Sequence, residues 1–257
     1  MLFSEIVGHD DLKKRLIQSV NENRVAHAQL FVGTEGSGKM ALAIAYAQYI
    51  NCQNRTESDS CGVCPSCKKY MSLSHPDLHF IFPTATNKSV KKDPESDLFL
   101  AEWREYFSDC QGYVNLSEWF DKLDIENKQG IINVRDASTV IRKLSFKSYE
   151  SEYKVVILWM PEKLNVFSAN KLLKLIEEPP EKTLFLLVAE NQEEVLSTIR
   201  SRCVLVKVPR LDTAVIKDAL VEKCGCSEQL ALDAATMSNG SWPLAKRFSN
   251  DIDNEML

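Results

Sequence analysis

No stretch of this chain approaches the roughly 20 consecutive apolar residues needed to span a bilayer. The longest run, Leu184-Phe185-Leu186-Leu187-Val188-Ala189, is the length of a strand. The opening residues, Met1-Leu2-Phe3-Ser4-Glu5, lack the basic start and apolar core of a secretory signal. A soluble cytoplasmic protein with no membrane partner is therefore expected. Positive charge is also scarce. A formal charge of −5 argues against a broad nucleic-acid-coating face and leaves room only for local basic patches. Internal repeats and low-complexity tracts are missing as well.

One absence is a single atom. Residues 33–40 read Gly33-Thr34-Glu35-Gly36-Ser37-Gly38-Lys39-Met40, a phosphate-binding loop in every position but the last. The pattern ends in Ser or Thr because that hydroxyl is a ligand of the Mg²⁺ bridging nucleotide phosphates. The Met40 thioether is a poor partner for Mg²⁺. Gly33, Gly36, Gly38, Lys39 and Met40 thus form a degenerate nucleotide site. Its setting is right: a short strand, 28–32, runs into the glycines and an alanine-rich helix, 40–50, follows, so that loop and helix N–H groups converge on an anion.

At 257 residues and 44% apolar, the chain has material for one large domain and a small one. An amphipathic helix is predicted over 9–22, with Leu12, Leu16, Ile17 and Val20 on one face. Apolar runs at 154–159 and 183–189 read as buried parallel strands. Helices over 168–178 (stopped by Pro179-Pro180) and about 193–201, and a short strand at 204–206, complete a β-α alternation. This is an α/β domain with a mostly parallel sheet over 1–208. Beyond Pro209 only helices are predicted, at 213–224, 228–238 and about 242–248, giving a small helical domain over 209–257.

The segment from about 84 to 130 breaks this rhythm and reads as an insertion. It opens polar and basic (Asn87, Lys88, Lys91, Lys92), then carries two apolar stripes. Leu98, Phe99, Trp103, Tyr106 and Phe107 make one; Leu116, Trp119, Phe120 and Leu123 make the other. Packing on the parent domain is the plain reading; a partner-docking surface is the alternative.

Four of the eight cysteines cluster as Cys52, Cys61, Cys64 and Cys67, with turn formers Gly62 and Pro65 between them. Four thiolates suit a closed, tetrahedral structural Zn²⁺ over 52–67. An iron–sulfur cluster and four reduced thiols without metal are the alternatives. Cys110, Cys203, Cys224 and Cys226 form no second set and read as buried small residues. His75 and His79 lie nearby but read as structural.

Several strings together resemble the bacterial DNA polymerase III clamp loader subunits. They are Phe3-Ser4-Glu5-Ile6-Val7-Gly8, Arg24-Val25-Ala26-His27-Ala28-Gln29-Leu30-Phe31 before the loop, the cysteine module, His75-Pro76-Asp77, Ala169-Asn170-Lys171-Leu172-Leu173-Lys174-Leu175-Ile176-Glu177-Glu178-Pro179-Pro180, and Thr198-Ile199-Arg200-Ser201-Arg202-Cys203. The resemblance covers nearly all of 1–208 and implies an AAA+ fold with a helical lid. It implies clamp loader partners (tau/gamma and delta subunits) and, through the assembly, the sliding clamp and primed DNA.

Measured against the working parts of such an ATPase, the chain resembles the delta-prime kind more than the hydrolysing tau/gamma kind. Met40 replaces the hydroxyl. The second strand ends Leu158-Trp159-Met160-Pro161 where a metal-holding acid belongs, and Glu162 comes about three positions late. Asn191 could act as the first sensor, but Glu190 beside it would repel a γ-phosphate. Pro243 stands where the second sensor's arginine is expected. What survives is Arg202, which the resemblance implies is an arginine finger reaching a neighbour's ATP; a surface arginine pairing a local carboxylate is its plain alternative. ADP or ATP binding without hydrolysis stays open.

The family also continues into a helical collar, so a truncated or collarless chain is expected here. Three functional readings follow: a non-hydrolysing clamp loader subunit, an active AAA+ ATPase using ligands such as Glu162, and a zinc-stabilised DNA-binding module using Lys88, Lys91 and Lys92.

Overall fold

The apolar runs at 28–32, 154–159 and 183–189 become the three inner strands of one sheet, because only a two-sided burial suits strands with no polar face. The computed structural model describes residues 1–125 and 129–255, the side chains of 252–255 excepted. Residues 126–128 of the expected 84–130 insertion and 256–257 of the expected helical domain lie outside the described residues. The strands are β1 (Ala28–Val32), β2 (Leu78–Ile81), β3 (Lys154–Trp159), β4 (Thr183–Ala189) and β5 (Val204–Lys207). All are parallel, in the order β2-β3-β4-β1-β5.

Alternate side chains feed two layers. Phe31, Val155, Ile157, Trp159, Leu184, Leu186 and Val188 face one core, with α1 (Asp10–Asn21) and α2 (Lys39–Ile50). Leu30, Val156, Leu158, Phe185 and Leu187 face the other, covered by α6 (Val134–Ser145), α7 (Val166–Glu177) and the short α8 (Ser197–Arg200). The helices α9 (Thr213–Cys224), α10 (Glu228–Met237) and α11 (Trp242–Glu255) gather around a third core that includes Leu220, Ala231 and Trp242. Among the described residues, no helix is long and apolar enough to cross a membrane.

Several elements differ from expectation. Strand β2 and helix α6 were not anticipated, nor was α3 (Pro65–Met71) inside the cysteine module. The helix expected over 193–201 shrinks to α8, because the Asn191 side-chain oxygen takes the Glu193 N–H at 3.0 Å and turns the chain there. Helix α11 runs on to Glu255.

The two stripes of the 84–130 segment lie on α4 (Leu100–Asp109), the short helical turn before it, and α5 (Leu116–Lys122). They pack inward. Trp103 stacks on Phe82 with centroids 4.6 Å apart and meets both Trp119 and Trp159 at 5.2 Å. The Trp119 indole N–H donates to the Pro83 carbonyl at 2.9 Å. Only Leu98 of the first stripe is left largely exposed.

Asp77, just before β2, fastens the chain that leads into β3. Its carboxylate accepts the backbone N–H groups of Tyr149, Glu150 and Ser151 at 2.7, 2.9 and 3.0 Å, and the Ser151 hydroxyl at 2.9 Å. Burial pushes this carboxyl up, but the hydrogen bonds outweigh it and hold Asp77 below its ordinary value. Asp77→Ala should cost about 2 kcal/mol of stability at neutral pH. A depressed folded pKa contributes above the unfolded value, about 3.9, and the contribution is lost as pH falls through the folded one. Denaturant titrations should therefore give a constant gap between wild type and variant from about pH 5 to 8, narrowing in more acid solution.

Candidate functional site

The glycine loop leaves β1 at the C-terminal edge of the sheet and enters α2. Gly36 and Gly38 both have left-handed backbones, at φ +74° and +84°. That geometry turns the loop over the N-terminus of α2, whose N-cap is Gly38. Gly36 also has no room for a Cβ, because Ser241 presses on it. The Trp242 N–H donates to the Gly36 carbonyl at 3.2 Å, so α11 is hydrogen-bonded to the loop.

Lys39 is buried. Its ammonium donates to the Thr34 carbonyl at 3.2 Å and lies 3.7 Å from the Glu190 carboxylate. Burial drives its pKa down, and Glu190, Glu162 and Glu35 oppose that. Met40 points into the core of α1 and α2 and is almost fully enclosed. Glu162 accepts the N–H groups of Glu190 and Asn191 at 2.6 and 3.0 Å. One of its oxygens is thus occupied in bracing the end of β4, and burial raises its pKa. The Asn191 amide bonds Glu194 at 3.0 Å within its own turn. Pro243 sits in the first turn of α11.

Arg202 lies elsewhere. Strand β5 runs parallel to β1 with Val204 opposite Gln29, so Arg202 precedes the start of β5 at the N-terminal edge of the sheet. The glycine loop lies beyond the other end of β1, on the order of 15 Å away at 3.3 Å per strand residue. Arg202 donates to the Thr198 carbonyl at 2.8 Å and stands 3.2 Å from the Glu177 carboxylate at the end of α7. It is half-buried, and it is not brought together with the loop of its own chain.

The four module cysteines converge. Their sulfur atoms all lie within 4.8 Å of one another, with Cys52–Cys61 at 3.6 Å and Cys61–Cys67 at 3.9 Å. A tetrahedron with 2.3 Å metal–sulfur bonds has edges of about 3.8 Å. Backbone N–H groups of Cys61, Cys64 and Cys67 point at the sulfurs of Cys52, Cys61 and Cys64 at 3.3–3.4 Å. N–H donors of Val63 and Cys64 pull the Cys61 thiol down to about 6. The arrangement suits thiolates holding one metal ion.

A family model described as DNA polymerase III, delta subunit, matches residues 8–212. The chain belongs to that family. It is similar to DNA polymerase III subunit delta' of Bacillus subtilis, 28% identical over 93% of this chain and 58% of that protein. It also resembles delta' of Yersinia pestis, 29% identical over 79% of this chain and 47% of that protein. Subunit tau of Bacillus subtilis is 25% identical over 91% of this chain and 34% of its own length. The chain thus spans about half the length of the delta' relatives.

Solved structures share the fold. A DNA polymerase III gamma subunit-related protein of Thermotoga maritima superposes with TM-score 0.52 at 17% identity, covering 95% of this chain and 58% of that one. The RuvB Holliday junction branch migration motor of the same organism gives 0.55 at 12% identity, covering 98% and 64%. The AAA+ fold expected from sequence is therefore present, and delta-prime is the kind of family member this chain resembles.

Sequence reasoning missed two site features. The Lys39–Glu190 pair was visible only as a suspicion about Glu190. Tyr113, whose ring borders Gly38, had no signal beyond being an aromatic beside Gly112. For the cysteines, metal analysis of the purified protein should find about one ion per chain. Cys64→Ser should abolish it and, like prolonged chelation, lower stability by several kcal/mol.

Proposed function

We propose that this chain is a non-hydrolysing clamp loader subunit that joins ATPase neighbours and offers Arg202 to a neighbour's ATP. The observation that carries the reading is the separation of two chemistries on one sheet. The loop at the C-terminal edge has Met40 in the core, Trp159 in an aromatic cluster and Lys39 facing a carboxylate. Arg202, at the opposite edge, is remote from the loop of its own chain, which supports a role toward a nucleotide held by another chain. A guanidinium suits that role, being permanently charged and able to grip two phosphate oxygens. Its ion pair with Glu177 is half-exposed, so it costs little to exchange for a phosphate.

In this reading the partners are tau/gamma and delta subunits, with the sliding clamp and primed DNA met through the assembly in the cytoplasm. Residues 1–208 form the AAA+ body and 209–257 its lid. Zn²⁺ is the ion for Cys52, Cys61, Cys64 and Cys67, since four thiolates leave no open position for catalysis. The active-ATPase alternative is disfavoured by Glu162, one of whose oxygens braces the backbone N–H groups of Glu190 and Asn191.

The test is reconstitution of the complete complex with Arg202→Ala. Turnover at the adjoining site should fall by about 10³-fold or more, as for fingers in GTPases, while assembly is unchanged. Arg202→Lys should rescue poorly, lacking the two-pronged grip. Full DNA-stimulated turnover in the Ala complex would refute the role. So would ATP hydrolysis by the isolated chain that disappears with Lys39→Ala.

A further inference from the structure

We propose that the glycine loop is stoppered by the chain's own side chains: Tyr113 fills the side where a nucleoside would leave the loop, and Glu190 stands in for phosphate opposite Lys39. The proposal goes beyond the assembly role. It concerns the isolated chain and holds or fails whatever Arg202 does.

A phosphate loop works by offering free N–H groups and a lysine ammonium at a helix N-terminus, with the rest of the nucleotide passing out beside it. Here that exit is occupied. The Tyr113 ring lies against Gly38, the N-cap of α2, where an added Cβ would be 3.2 Å from Cε1 and 3.6 Å from Ile6. The Tyr113 hydroxyl accepts the Val7 N–H at 3.4 Å, a contact of the kind a purine edge makes with backbone. The same side chain packs against the third core, which holds Val7, Leu211 and Trp242. One side chain from the 84–130 segment thereby joins the N-terminal segment, the loop and the last helices.

Tyr113 and Trp242 also line two cavities in common. One, of about 460 Å³, is lined by Ile6, Val7 and Lys223; the other, of about 370 Å³, by Glu35 and Gly36. Each is large enough for part of a nucleotide, and the Tyr113 side chain borders both. Burial pushes the Tyr113 hydroxyl up to about 12, so it remains a neutral group at working pH.

The phosphate side is closed in a matching way. Lys39 has a carboxylate 3.7 Å away, and Glu162 lies close enough to act on it. An incoming anion must displace Glu190 and then sit beside it, a like-charge contact in a desolvated place. The Trp242–Gly36 hydrogen bond holds α11 over the loop. Tyr113, hydrogen-bonded to Val7 and set against both Gly38 and the third core, gives the 84–130 segment a role: a built-in wedge in place of ATP.

The test uses the isolated chain, with ADP in calorimetry and a fluorescent methylanthraniloyl-ADP in titration. Wild type and Tyr113→Phe, which keeps the ring, should show no saturable ADP binding up to about 1 mM. The Tyr113→Ala/Glu190→Ala double variant should bind at least about tenfold tighter, with binding lost on adding Lys39→Ala. Circular dichroism and metal content confirm that each variant is folded. Wild type binding ADP as tightly as the double variant overturns the proposal, as does a folded double variant that binds none. Should the double variant unfold, hydrogen exchange on the wild type decides. Amides of residues 7 and 36–39 unchanged by millimolar ADP support the stopper; new protection there overturns it.

Discussion

Everything in this molecule is arranged around a helix that has no wet side. All twelve residues of α2, Lys39 to Ile50, are buried, including a lysine, a glutamine and two tyrosines. A helix apolar all round must be covered all round. The sheet supplies one wall through Phe31, Ile157 and Leu186, and α1 supplies another. The rest falls to pieces that have no other common purpose: Phe3 and Ile6 at the start, Tyr70 beside the cysteine module, and Phe107 on α4. Asp59 ties two of these together by accepting the N–H groups of Phe3 and Ser4. The module at the end of α2 and the segment beyond it are thus parts of one jacket.

Burial of α2 also explains the odd last letter of its loop. A hydroxyl at position 40 earns its place only with a metal ion in reach. Without one it would be a polar group in a closed core, which costs free energy unless it is hydrogen-bonded. A methionine fills the same space with flexible apolar volume. The loss of the metal ligand is, in packing terms, a gain. Lys39 meets the same constraint with the opposite chemistry. Burial pulls its pKa down, the carboxylates of Glu190, Glu162 and Glu35 oppose that, and its ammonium donates to the Thr34 carbonyl.

How much of this could be read in advance follows from the range of the forces involved. Strands β1, β3 and β4 are buried on both faces, so each is a plain apolar run. Strand β2 has only four residues, one of them His79, and pairs on one side alone. Helix α6 had a readable start, the reciprocal Asn133–Asp136 cap, and apolar positions at Ala137, Val140 and Leu144. Its polar outer face disguised it beside the heavier aromatic stripes upstream. The cysteines and the loop were legible because their spacing is local. Tyr113 was not, because it meets Val7 across 106 residues of chain, and the Arg202–Glu177 pair depends on where α7 ends.

The aromatic end of β3 and the 84–130 segment form one packing unit. The Trp159 ring lies 5.2 Å from Trp103 and is almost fully enclosed by the aromatic group that also holds Phe82 and Trp119. A carboxylate in its place would face indole rings instead of a metal ion, unpaired and out of water, at a cost of several kcal/mol or a proton. The segment cannot dock as it does against a working acid, and an acid cannot work beneath the docked segment. The same docked segment sets Tyr113 beside Gly38, so that the ring packed on Trp159 and the ring packed on the loop come from one piece of chain.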